Sequence, residues 1–165
     1  MDTPTAYHQL GQFIVNFQHL EDVVTNLLVM MSNADDGVIL ILVNDLEYSK
    51  RLNTADVLFA RFVDLRNNTD VAAKAAFHKL MVELRELGER RNDLVHSRYN
   101  HWINVHGKEG LLRTNSKLQG RNGERKEMEE ELQPEAFNDD LQRLAVAENA
   151  LEKFRLQVID WLYSQ

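Results

Sequence analysis

Apolar residues recur at steps of three and four along most of this 165-residue chain. That period keeps one face of an α-helix dry, so it restricts the chain to packed amphipathic helices. Tyr7, Leu10, Ile14, Phe17, Val24, Leu28 and Met31 mark a first helix over residues 4–32. Thr3 is placed to cap it and Pro4 to occupy its first position. The only stripe position filled by a charge is Glu21. Residues 32–37, Ser-Asn-Ala-Asp-Asp-Gly, break the pattern.

The following VILILV could be a strand on its own, but no partner strand is evident nearby and helix-like sequence follows. A short helix is therefore expected, then a longer one to about Leu65, with the break near Asn44 or Asn53. Residues 66–70 form a second turn, where Thr69 can cap another helix. Its stripe of Phe77, Leu80, Met81, Leu84 and Leu87 predicts a helix to about Tyr99. A last helix starts near Pro134, with Phe137, Leu141, Leu144, Leu151, Phe154, Val158 and Leu162 as its stripe.

Residues 103–133 lack the period and hold four of the seven glycines. They read as a long polar insertion, with a β-hairpin around Gly120–Gly123 as one form it can take. The expected fold class is all-α: one domain over 1–165, an antiparallel bundle of four to five helices with the insertion before the last.

Composition excludes several function classes. With no cysteine there is no disulfide framework, thiol nucleophile or thiolate metal site. The first residues lack a basic stretch leading into an apolar run, and the longest apolar run, Val38–Val43, is far too short to span a bilayer. A cytoplasmic protein with no membrane partner is expected. The net charge is −7, but residues 85–126 hold ten Lys/Arg against five acids, a balance of +5 that leaves −12 elsewhere. A basic face on an acidic body is one consequence, and a solvated loop of mixed charge is the other.

The helix ending near Tyr99 breaks its own pattern at its end. Taking 100° per residue from Leu84, the apolar Phe77, Leu80, Leu87 and Val95 lie within about 60°. Arg91 lies about 20° away, in the middle of the stripe, and Asn92, Tyr99 and His96 fall at about 80°, 60° and 120°. An arginine at a core or interface position must be paired or must line a polar cleft. An arginine whose stem is covered and whose head reaches water is the plainer alternative. Glu21, the other charge on a stripe, can pair with Arg91 across helices or simply reach solvent.

The phrase ERRNDLVHSRY resembles the HEPN superfamily, whose ribonuclease members carry an Arg, a polar residue, three or four more residues, and a His near the end of a bundle helix. Arg91, Asn92 and His96 match that motif position by position, and Arg90 offers a second register. The resemblance covers the helices and leaves residues 103–133 unexplained. It implies a metal-independent endoribonuclease of the abortive-infection type, acting in phage defence or stress response. His96 would move protons, since an imidazole titrates near ~6.5 in water. Arg91 would neutralise charge growing on the phosphoryl oxygens. Asn92 would orient His96 or bind phosphate, with Glu21 and Tyr99 in support. RNA is the implied substrate, with Arg98, Lys117, Arg121 and Arg125 as candidate contacts. A homodimer with both motifs facing one composite cleft is implied, and an antitoxin or another defence-system protein is the implied class of further partner. Some HEPN toxins carry a tyrosine two residues after the histidine. Here Arg98 stands there and Tyr99 lies one further on, which departs from that subtype.

His96, His101 and His106 are spaced by five, which scatters them around a helix, and no HExxH or paired-carboxylate motif accompanies them. No metal and no other cofactor is expected. The competing class is a non-catalytic HEPN-like scaffold that binds nucleotides or partners, with Arg91 as a structural residue. Exposure of His96 in a basic cleft favours the enzyme, and burial against Leu or Phe favours the scaffold.

Overall fold

The computed structural model describes residues 4–66 and 69–164. The helical period yields α1 (Ala6–Ser32), α2 (Asp36–Asn44), α3 (Tyr48–Asp64), α4 (Ala72–Val95) and α5 (Asn138–Tyr163). A single 3-10 turn, Pro134–Phe137, leads into α5. The expected cap at Thr3 lies outside the described residues. Thr5 caps α1 instead, its Oγ1 accepting from the His8 backbone N–H at 3.2 Å. Asn67 and Asn68 of the second expected turn also lie outside the described residues. Thr69 does not cap α4: its hydroxyl donates backward to the carbonyls of Val63 and Arg66 at 2.8 and 3.0 Å. Asp70 accepts from the Ala72 N–H at 2.9 Å.

VILILV is helical, as α2, and Asp35 caps it by accepting from the Val38 N–H. Apart from α2, which packs chiefly on α1, the helices make a four-helix arrangement: α1 and α4 each pack on both α3 and α5, so the four long helices form a ring with α1 and α4 at opposite corners. The core is aromatic. Phe59 of α3 stacks on Phe77 of α4 with centroids 4.1 Å apart, and Phe154 of α5 meets both rings edge-on at 5.5 and 5.2 Å. Each such ring contributes roughly 1.5–3 kcal/mol by leaving water. Gly88 lets α3 approach α4 closely: a Cβ there would stand 2.5 Å from Tyr48 Cε1. The Tyr48 hydroxyl donates to the Leu84 carbonyl at 2.8 Å.

The all-α expectation is overturned. Residues 98–132 form a three-stranded antiparallel sheet in the order β1 (Arg98–Ile103), β2 (Glu109–Gln119), β3 (Glu124–Leu132), so the fold is mixed helix and sheet. The hairpin around Gly120–Gly123 is its second turn, but the sheet begins before residue 103 and takes in Tyr99, which was expected to be helical. The cause lies at the end of α4, where side chains from the following segment satisfy the last carbonyls. Arg113 of β2 and the Ser97 hydroxyl both donate to the Asp93 carbonyl, and the Tyr99 hydroxyl donates to that of Leu94 at 2.6 Å. A buried cation there also opposes the negative end of the helix dipole.

Within the sheet, Leu111 and Leu132 are directly paired and fully buried. Two residue pairs further along, at Arg113 and Glu130, the same face turns ionic. Among the described residues no helix is long and apolar enough to cross a membrane.

Candidate functional site

Arg91 and His96 are both on the terminal stretch of α4, yet five residues at 100° each point them about 140° apart. Their surroundings differ accordingly. The Arg91 guanidinium donates to Glu21 of α1 at 3.2 Å and to Asn92 Oδ1 at 2.8 Å, and its Cζ lies 5.2 Å from the centroid of the Phe17 ring. This half-buried ion pair bridges opposite corners of the helix ring. Phe17 in turn lies 5.0 Å from Tyr48. Burial pushes the Tyr48 phenol above its ordinary range, with Glu21 adding to the shift and Arg91 opposing it. Of the two alternatives for Glu21, the geometry selects the pair with Arg91. Asn92 spends its side-chain oxygen on Arg91, and its backbone carbonyl accepts from the His96 N–H at 3.0 Å.

His96 is the C-cap of α4, and its side chain is exposed. It lines a concavity of about 310 Å³ together with Arg98, Thr114, Asn115, Ser116, Arg125, Glu127, Met128 and Glu129. The register explains the gathering. Arg98 pairs with Thr114, Thr114 with Glu129, Ser116 with Glu127 and Leu118 with Arg125. Strand residues two apart share a face, so Arg98, Thr114, Ser116, Arg125, Glu127 and Glu129 lie on one side of the sheet. His96 stands at its margin. Arg91 does not line this concavity.

The other face is turned toward the bundle. Arg113, only 4% exposed, donates from Nε and Nη2 to Glu130 Oε2 at 3.0 and 2.8 Å and from Nη1 to the Ser97 hydroxyl at 2.9 Å. Arg90 grips both oxygens of Glu130 at 2.8 and 2.9 Å and also donates to Asp140 of α5, at 3.0 Å from Nε. This four-residue network ties α4, α5, β2 and β3 together. The Arg90 hydrogen bonds, ahead of the opposing effect of burial and the help of Arg113, hold the Glu130 carboxyl below the usual carboxylate range. With Arg90 committed to two carboxylates, Arg91 is the register of the motif that leaves a guanidinium beside Asn92.

The remaining expected positions are dispersed. Tyr99 lies on β1 with its hydroxyl committed to Leu94, and burial raises its phenol. Lys117 is ion-paired with Asp93 at 3.0 Å, away from the concavity. Arg121 lies exposed on the turn between β2 and β3. Arg125 is at the concavity but paired with Glu127 at 2.9 Å. Arg98 has no carboxylate partner among the described residues. The local charge of +5 therefore does not make a uniformly basic face. Arg90, Arg113 and Lys117 are neutralised locally, and the concavity itself carries two arginines against two glutamates.

The sequence reasoning missed Thr114 and Ser116, whose hydroxyls reach the site only through strand register, and the Arg113–Glu130 pair, which is a cross-strand contact. Among the described residues no group of three or more His, Asp or Glu is gathered as a metal ion would need. No protein-family model, curated protein or solved structure matches the chain.

Proposed function

We propose that this chain is a cytoplasmic, metal-independent endoribonuclease whose chemistry is centred on His96. The observation that carries the reading is the exposed imidazole at the junction of α4 and β1, beside Arg98 and the hydroxyl-bearing Thr114 and Ser116. In such a reaction the RNA 2′-OH attacks the adjacent phosphorus. A P–O2′ bond forms, the P–O5′ bond breaks, and one proton leaves the 2′ oxygen while another reaches the 5′ oxygen. His96 can take or give one of those protons, because imidazole exchanges protons near neutral pH. Arg98 can hold a non-bridging phosphoryl oxygen, and its charge is not consumed by a carboxylate among the described residues. The Thr114 and Ser116 hydroxyls can donate to the same group or to a neighbouring phosphate. Arg91 faces another direction and is bound to Glu21. It would meet the reacting phosphate only from a second protomer, which is the composite arrangement that the HEPN resemblance implies.

A second reading has its own observation. Arg91, Glu21, Asn92 and Phe17 form a complete structural brace, as a non-catalytic HEPN-like scaffold would have. The two readings separate in a cleavage assay with labelled RNA in EDTA. The enzyme reading predicts products ending in a 2′,3′-cyclic phosphate and no cutting of DNA, which lacks the attacking hydroxyl. Cleavage of DNA, or activity lost to the chelator, contradicts it. RNA that is bound but never cleaved supports the scaffold.

A further inference from the structure

The outer face of the sheet carries its charges in order. Arg98 on β1, Thr114 on β2 and Glu129 on β3 stand directly opposite one another, one row across three strands. Neighbouring strands lie about 4.8 Å apart, so the backbones at Arg98 and Glu129 are about 10 Å apart. Thr114 separates the two charges, and neither has an ion-pair partner among the described residues. The other carboxylate on the β3 side that could compete, Glu127, is paired with Arg125 at 2.9 Å. His96 lies on the β1 side, two residues before Arg98. The concavity of about 310 Å³ therefore has a cationic side, the hydroxyls of Thr114 and Ser116 in the middle, and one uncommitted carboxylate opposite. A bare carboxylate repels every phosphate that approaches it, so in a site for RNA it is unfavourable unless a base donates to it.

The geometry points to Glu129 as the residue that selects guanine at the cleavage site, an inference that rests on the ribonuclease reading of the same concavity. An ionised carboxylate has two acceptor oxygens and no donor. Guanine presents two adjacent donors on its pairing edge, N1–H and the N2 amine. Adenine and cytosine each set one donor beside a ring-nitrogen acceptor, and uracil sets its one donor between two carbonyl oxygens. Guanine alone can meet both oxygens of Glu129 without turning an acceptor toward them, and hydrogen bonds to an ionised acceptor are the stronger kind. Unpaired RNA offers that edge freely. With the scissile phosphate at His96 and Arg98, the base that crosses to β3 belongs to the nucleotide supplying the 2′-OH. It hangs from C1′, next to the carbon that bears the attacking hydroxyl. Glu129 is thus a specificity residue, touching the base and not the reacting atoms.

The test has two arms, both with the whole chain in EDTA. In the first, four DNA oligonucleotides each carry a single ribonucleotide, G, A, C or U, so that one 2′-OH is present and its base is known. The wild type should cleave after G at least about tenfold faster than after the others, the discrimination of one good bidentate contact. Inosine, which lacks the N2 amine, should fall between guanine and the rest. Glu129→Ala and Glu129→Gln should bring guanine level with the other bases, and both should fold, since Glu129 is exposed. In the second arm, calorimetry compares guanosine, inosine and adenosine 3′-monophosphates, and the same order and the same loss are expected without any cleavage. Cleavage that ignores the base, or a guanine preference that survives Glu129→Ala, overturns the proposal and leaves the ribonuclease reading standing. Selective binding of guanosine 3′-monophosphate that Glu129→Ala removes, with no cleavage of any substrate, upholds the guanine site and overturns the ribonuclease. Neither cleavage nor selective binding overturns both.

Discussion

The helix ring and the sheet are held by different forces, although they share α4. In the ring, the fully buried Phe59 and Phe77 stack on one another and the partly buried Phe154 closes over both edge-on. The sheet contributes few buried apolar side chains, chiefly Leu111 and Leu132, and is fastened to the ring by Arg90, Glu130, Arg113 and Asp140. Apolar packing is insensitive to pH and to small displacements of charge. An ionic tether depends on every partner being present and ionised. The bundle is therefore the scaffold, and the sheet is the part whose attachment a single residue can loosen. His96 and Arg98 stand at that seam.

The largest effect should come from the apolar side. Phe77→Ala removes a ring stacked at 4.1 Å inside a closed core and should cost about 3–5 kcal/mol, read as a lower midpoint in urea. Helix and sheet should melt together in that variant, because α4 serves both. Survival of the full helical signal at wild-type denaturant concentration would break the distinction between scaffold and appendage.

The tether should give a smaller and more local loss. Arg113→Met keeps the buried stem and removes the guanidinium, leaving Glu130 with Arg90 alone. Hydrogen bonds to charged groups contribute about 1.5–3 kcal/mol, and a loss in that range is expected. Amide exchange should rise in β1 and β2 well before it rises in α1 or α3. Equal acceleration across the molecule would show that sheet and bundle are one cooperative unit.

Smaller again is the acid limb of stability. Glu130 is held below its ordinary value of 4.5, mainly by Arg90. A depressed folded-state value means the stabilisation is complete above about 4.5 and is lost as pH falls through the lower folded value. Acidification below about pH 4.5 should therefore loosen the sheet first, and Glu130→Gln should flatten that part of the profile. An unchanged slope in the glutamine variant would remove Glu130 from the account.

How far the sequence could be read follows from the same contrast. The helices were legible because Phe17, Phe77, Leu84, Leu144 and Leu151 recur at the helical period and point to a shared core. VILILV was legible as helix because nothing nearby could pair with it as a strand. Of the sheet only a hairpin around Gly120–Gly123 was legible, since β3 reads ERKEMEEEL, which resembles a solvated run far more than a strand. What makes it a strand is pairing with β2, above all Leu132 opposite Leu111 and Glu130 opposite Arg113. Arg91 and Glu21 stood out as charges on apolar stripes, and they meet. Arg90 gave no such signal, because Glu130 and Asp140 lie 40 and 50 residues away in the chain. The nearness of Arg98 to His96 was visible as a step of two, but Thr114 and Ser116 join them only once the register is known.

The central claim is that His96 at this seam moves a proton in RNA cleavage. Its most direct measurement is the single-turnover rate of RNA cleavage in EDTA by wild type and by His96→Ala, with circular dichroism showing that both are folded. General acid–base catalysis contributes roughly 10²–10⁴-fold, so the rate should fall by that factor in the variant while RNA affinity stays near that of the wild type. Equal rates in the two proteins would contradict the claim.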